Sequence, residues 1–146
     1  MDSAELTIKN FEYPPNFQRI KDTLPLAGDV IFSYYPFIYN PEGNKISADL
    51  MLHERIHLAE QKVVGTEKWW ERYLNDSGFR FDTELRAFSA QYAYGLKAYR
   101  RQVSDQMLTD FSMNLSNGIY GKHKSFGEVN SKIRRKAREY NESVVK

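Results

Sequence analysis

The chain has 146 residues, a formal net charge of +2 and 14% aromatic residues, which allows one domain over 1–146 with a genuine hydrophobic core. Cysteine is absent, so a disulfide scaffold and thiolate-ligated zinc are excluded, and any transition-metal site must use imidazole and carboxylate. The near-balanced charge gives no global case for nucleic-acid binding. No apolar run approaches the ~20 residues of a membrane span, and Met1-Asp2-Ser3-Ala4-Glu5 lacks the basic start and apolar stretch of a signal peptide. The expectation is a cytoplasmic protein without a membrane partner; nothing in the sequence sets its oligomeric state.

In chain order, the first ten residues read as loosely structured. Pro14-Pro15 then opens a segment over 16–24 with modest helical character. Residues 29–35 are rich in β-branched and aromatic side chains, the strand signature, and 37–39 repeat it after Pro36. Asn40-Pro41-Glu42-Gly43-Asn44 combines proline's fixed φ with glycine's freedom and reads as a turn. Together these predict a small antiparallel sheet.

A helix is predicted over 48–64. Ser47 suits the N-cap, Asp49 the positive end of the macrodipole, Ile46 and Met51 a hydrophobic staple, and Gly65 the terminus. One face carries Leu52, Ile56, Ala59 and Val63, suited to packing on the sheet, and the other carries His53, His57 and Gln61. A second helix over 67–74 contains Trp69-Trp70 and is interrupted at 75–78. A long helix from 79 or 81 to 102 and another over 105–115 follow. Ser125-Phe126-Gly127-Glu128 has the capping-box pattern and starts a last helix to about 141. The sum is an α+β protein dominated by helix.

His53-Glu54-Arg55-Ile56-His57 is an HExxH motif inside the first long helix. Imidazoles four residues apart project from one helical face and can share a metal ion, with a carboxylate beside them to handle a proton. Zinc held this way takes a third protein ligand and leaves one position open for water. The extended pattern HExxHxxGxxH fails, because Glu60 and Val63 stand where Gly and His are required. His123 lies between Lys122 and Lys124, poor neighbours for a cation, and Glu60 is too close along the same helix. Glu84, on the later helix, is the better third ligand. Its stripe runs through Ala87, Gln91, Tyr94 and Ala98, and the small Ala87 would let the two helices approach closely. Phe88, Tyr92 and Leu96 are expected to pack inward. Gln91 or Gln61 could steady a ligand, since liganding imidazoles donate their other N–H.

HExxH followed by Glu84-Leu85-Arg86-Ala87 resembles the gluzincin metallopeptidases. More closely, Phe37-Ile38-Tyr39-Asn40-Pro41, the motif itself, Trp69-Trp70-Glu71-Arg72-Tyr73-Leu74, the segment 79–88 and Ile119-Tyr120-Gly121 resemble short metallopeptidases encoded by tailed bacteriophages. The resemblance covers about 30–133, with HExxH its specific element. It implies a minimal zincin-like fold, Zn2+ on His53, His57 and Glu84, Glu54 as the general base, and a peptide or protein substrate in the cytoplasm of a bacterial host. The thermolysin pattern places an aspartate four residues after the zinc glutamate. Here that position is Phe88, so the partner of a zinc histidine must come from elsewhere.

On that mechanism a further donor should face the oxyanion, and Tyr120 and His123 are the candidates. The strand edges at 31–35 or 37–39 could hold a peptide by strand addition. Two other functions remain open. One is a non-enzymatic phage-type component with a structural zinc site. The other is a nucleic-acid-binding module using the basic run Lys132-Ile133-Arg134-Arg135-Lys136-Ala137-Arg138, whose more ordinary reading is a solvated helix face.

Overall fold

The computed structural model describes residues 7–26, 28–121 and 124–145. Three short strands, β1 (Thr7–Asn10), β2 (Phe32–Tyr34) and β3 (Phe37–Asn40), accompany helices α1 (Phe17–Thr23), α2 (Ala48–Val64), α3 (Thr66–Asn75), α4 (Ser77–Ala98), α5 (Arg101–Leu115) and α6 (Phe126–Val145). A 3-10 turn, Gly118–Tyr120, follows α5. The fold is α+β and helix-dominated, and no helix is long and apolar enough to cross a membrane among the described residues.

The sheet is mixed rather than antiparallel. β2 and β3 form the expected hairpin, with Phe32 opposite Tyr39 and Tyr34 opposite Phe37. β1 adds to the other side of β3 in parallel, Ile8 beside Ile38. The first ten residues therefore contain a strand where looseness was expected. Thr7–Asn10 is largely exposed and so has little of the alternating apolar signal of a strand. It is held by backbone pairing and by Asn40, whose side-chain amide donates to Asn10 Oδ1 at 2.9 Å.

The order β1-β3-β2 leaves β3 with no free edge. The outer edge of β2 is also taken. Tyr35 N–H donates to Gln61 Oε1 at 2.7 Å, Gln61 Nε2 donates to the Ser33 carbonyl at 3.1 Å, and Trp70 Nε1 donates to the same carbonyl. A side-chain amide thus stands where a neighbouring strand would pair, and peptide addition at Ser33–Tyr35 or 37–39 is closed off.

Two apolar clusters flank the middle of the molecule. One joins Phe81, Leu85 and Tyr92 of α4 to Leu115, Tyr120, Val129, Ile133 and Ala137. The other joins Ile20, Phe32 and Tyr39 to Trp69, Trp70, Tyr73 and Leu74 of α3. In α6, Ile133 and Ala137 face inward while Arg134, Arg135, Lys136 and Arg138 are exposed. The basic run is a solvated face.

Helix boundaries follow from local chemistry. Asp76 caps α4, its side chain accepting from Phe79 N–H at 3.1 Å, so the helix starts before the expected 79 or 81. It ends at Ala98 rather than 102, because Tyr99 and Arg100 are both extended, and α5 restarts at Arg101 rather than 105. The capping box of α6 is formed reciprocally, Glu128 N–H to Ser125 Oγ and Ser125 N–H to Glu128 Oε1, both 3.2 Å. The helix runs on to Val145, past the expected 141.

Candidate metal centre

Helix α2 has the expected limits, with Ser47 at its N-cap in extended conformation and Gly65 at its C-cap at φ +98°. Ser47 makes no capping bond through its side chain. The orientation of the helix is the reverse of the one predicted. Its buried residues are His53, Glu54, His57, Leu58 and Gln61, whereas Val63 is 83% exposed and Ala59 is exposed. The polar face turns inward because it meets partners there, on α4 and on the sheet. Burial of polar groups is tolerable only when such partners exist.

Glu84, expected from spacing to be the third ligand, lies beside the two histidines. Glu84 lies on α4, which packs on α2, and Ala87 one turn on is fully buried at the contact. His53 Nε2 and His57 Nε2 both point at Glu84 Oε1, at 3.0 and 3.1 Å. One ligand atom from each of His53, His57 and Glu84 lies within 4.8 Å of the others, and the three could hold a metal ion. A tetrahedral ion bonded at ~2.0–2.1 Å spaces its donors by roughly 3.3 Å, so the observed nitrogen–oxygen separations need to open by only a few tenths of an ångström. Two nitrogens and one oxygen, with no sulfur, suit zinc and other divalent ions of similar preference.

The carboxylate is oriented by α3. Tyr73 O–H donates to Glu84 Oε2 at 2.5 Å, which leaves Oε1 for the imidazoles. Burial alone would raise the Glu84 carboxyl, but the charge of His57 and hydrogen bonds from both rings outweigh it, holding the group well below its ordinary range. Burial and the nearby Glu84 charge push Tyr73 well above its usual value, so it stays a donor. Trp69 stacks on Tyr73 at 5.0 Å and meets the His57 ring edge-on at 5.2 Å. Phe88, at the position where thermolysin-type chains have aspartate, packs its ring against His53 at 4.6 Å.

The remaining imidazole nitrogens each have one partner. His57 Nδ1 meets Thr83 Oγ1 at 3.1 Å, and Thr83 donates in turn to Glu60 Oε1. His53 Nδ1 meets Gln91 Oε1 at 2.9 Å, and Gln91 Nε2 donates to Asp49 Oδ2 at 2.7 Å. Gln91 therefore does what was expected of it, while Gln61 serves the strand edge instead. Thr83, Tyr73, Asp49 and Glu60 were missed as site residues. A signal for two of them exists, because Asp49 precedes His53 by four residues and Glu60 follows His57 by three, so all four lie along one face of α2.

Glu54 is buried beside these three side chains, 4.0 Å from His53 Nε2. Burial, with a smaller contribution from Glu84, pushes its carboxyl up to about 7 against the opposing charge of His53. Glu54, His53, His57 and Glu84 line a cleft of about 870 Å³, with Ile20, Leu24, Trp70 and Tyr120 among its walls. Tyr120 is buried and shares a hydrogen bond with Tyr73, and burial raises its phenol far above the ordinary value. Its position is fixed by Arg80, whose guanidinium donates to the carbonyls of Ile119 (2.8 Å) and Tyr73. His123, the other oxyanion candidate, falls outside the described residues. Leu96, expected to pack inward with Phe88 and Tyr92, is 46% exposed because α4 ends two residues later.

No protein-family model, curated protein or solved structure matches this chain. Function is therefore argued from the site.

Proposed function

We propose that the chain is a zinc-dependent peptidase of minimal zincin-like, gluzincin-type build, related in kind to the short phage-encoded metallopeptidases that its sequence resembles. The observation that carries this reading is the convergence of His53 Nε2, His57 Nε2 and Glu84 Oε1 beside buried Glu54 in the cleft. A zinc ion held by those three residues supplies Lewis acidity, making water acidic near neutral pH and polarising a carbonyl.

Glu54 takes the proton from the attacking water and returns it to the departing amine as the carbon–nitrogen bond breaks. Its burial favours that exchange near neutral pH, and the positive charge of a bound cation draws the carboxyl back down. Tyr120, a protonated phenol in the cleft wall, is the described donor best suited to the oxyanion. The substrate is an unfolded or flexible peptide segment whose apolar side chains fit between Ile20, Leu24 and Trp70.

The test combines metal analysis with hydrolysis of a broad peptide library. About one zinc per chain is expected, with cleavage abolished by Glu54→Gln and zinc retained in the variant. Zinc-loaded protein that cleaves no peptide would overturn the reading. One observation favours a second possibility, a non-enzymatic component fastened by its metal: no residue of α2 joins either apolar cluster, so a cation would pin this helix to α4. In that case Glu54→Gln leaves biological function intact, and chelation lowers stability alone.

A further inference from the structure

We propose that Thr83 with Glu60, and Gln91 with Asp49, are paired positioning relays that lock both metal-site histidines with the Nδ1–H tautomer and aim their Nε2 lone pairs at one point. This rests on the metal-binding reading above and extends it to residues outside the ligand set. The direction of each hydrogen bond follows from the donors available. A threonine hydroxyl has one proton, and Glu60 is a carboxylate that only accepts. Thr83 Oγ1 therefore gives its proton to Glu60 Oε1 and presents only lone pairs to His57 Nδ1. The ring nitrogen must be the donor.

The Gln91 relay reaches the same result by different chemistry. Asp49 Oδ2 accepts from Gln91 Nε2, which fixes the amide so that its carbonyl oxygen faces His53. A carbonyl cannot donate, so His53 Nδ1 must carry hydrogen. Each carboxylate is itself held. Glu60 also accepts from Trp69 Nε1 at 3.0 Å and Arg86 Nε at 2.7 Å, and Asp49 accepts from Tyr99 O–H at 2.6 Å. Burial would raise both carboxyls, but these hydrogen bonds hold them below their ordinary range and ionised.

When zinc is bound, both rings are neutral and give up their Nε2 hydrogen bonds to Glu84, so two imidazole lone pairs and Glu84 Oε1, whose partner oxygen is occupied by Tyr73, become three converging acceptors. Such a point is electrostatically unfavourable unless positive charge fills it. Neutral Thr and Gln take the place of the aspartate that the Phe88 position lacks.

The test uses the full chain loaded with zinc. Nitrogen-15 NMR should show an exchange-protected Nδ1–H on each of His53 and His57. Thr83→Val and Gln91→Leu should each weaken zinc binding about 10–100-fold in a chelator competition, the size seen when a ligand's outer partner is removed. Thr83→Ser keeps the hydroxyl and should restore affinity to within a few-fold. The relays are overturned if either ring of wild-type protein carries its proton on Nε2, a result that needs no variant. They are also overturned if folded Thr83→Val binds zinc as tightly as wild type. Tight zinc binding and the expected tautomers without any peptide cleavage would retire the peptidase reading while leaving the relays standing.

Discussion

At the scale of single residues, the centre depends on polar groups placed where apolar ones would ordinarily sit. His53, Glu54, His57, Gln61, Thr83, Glu84 and Gln91 are all buried. An unpaired buried donor or acceptor costs ~1–3 kcal/mol, and more when charged. Tyr120 is the residue whose role is most open to measurement, since its hydroxyl lies near both Tyr73 and the open cleft. If it serves the oxyanion, Tyr120→Phe should lower kcat by ~10²–10³ with KM and zinc affinity little changed. A loss of zinc affinity with kcat preserved at saturating metal would assign the hydroxyl to bracing Tyr73 and Glu84 instead.

At the scale of elements, α2 shows what could and could not be read from the sequence. Its limits were legible because Gly65 and the cap at Ser47 are local signals. Glu84 does lie beside His57 as the spacing predicts, but the connection is the helix α3 between two single-residue turns rather than a loop, with the small Ala87 at the α2–α4 contact. Its orientation was misread. Leu52, Ile56, Ala59 and Val63 looked like a core stripe, yet the buried face is the one carrying the histidines. Apolar periodicity reports burial only when no competing polar face has partners waiting on another element, and those partners (Thr83, Gln91 and the Ser33 carbonyl) are distant in sequence. β1 was invisible for a related reason: its pairing is backbone-made, and backbone bonds leave little trace in side-chain pattern.

The turn between α2 and α3 yields a separate expectation. Gly65 sits at φ +98°, and a Cβ there would meet nothing within 4 Å, so the cost of Gly65→Ala is conformational rather than steric. Unfolding in urea should show a loss of about 1–3 kcal/mol, the cost of forcing a non-glycine residue into sparsely allowed backbone. Gly127, in the first turn of α6, has equally open space and no positive φ. Gly127→Ala should be neutral or stabilise by up to ~1 kcal/mol. Equal effects at the two sites would refute the conformational account.

At the scale of the whole molecule, the two apolar clusters are built from α1, the sheet and α3 on one side and from α4, α5 and α6 on the other. Helix α2 lies against both α4 and β2 but adds no residue to either cluster. Its attachment rests largely on hydrogen bonds made by Asp49, His53, His57, Glu60 and Gln61 and, on the proposed metal-binding reading, on a cation shared by His53, His57 and Glu84. Local opening free energies follow the amount of apolar burial an element contributes. A ligand present at a thousand times its Kd stabilises the state that binds it by ~4 kcal/mol. If the proposed zinc is the cation held there, removing it should therefore loosen α2 before anything else. Hydrogen exchange followed by mass spectrometry, with and without chelator, should show amides over 53–64 exchanging faster once metal is removed. Amides over 85–93 of α4 and 129–137 of α6, which lie within the apolar cluster, should change little. Uniform acceleration along the chain would mean that α2 opens only with global unfolding, and the cation would then be a fastener for the entire fold rather than for one helix.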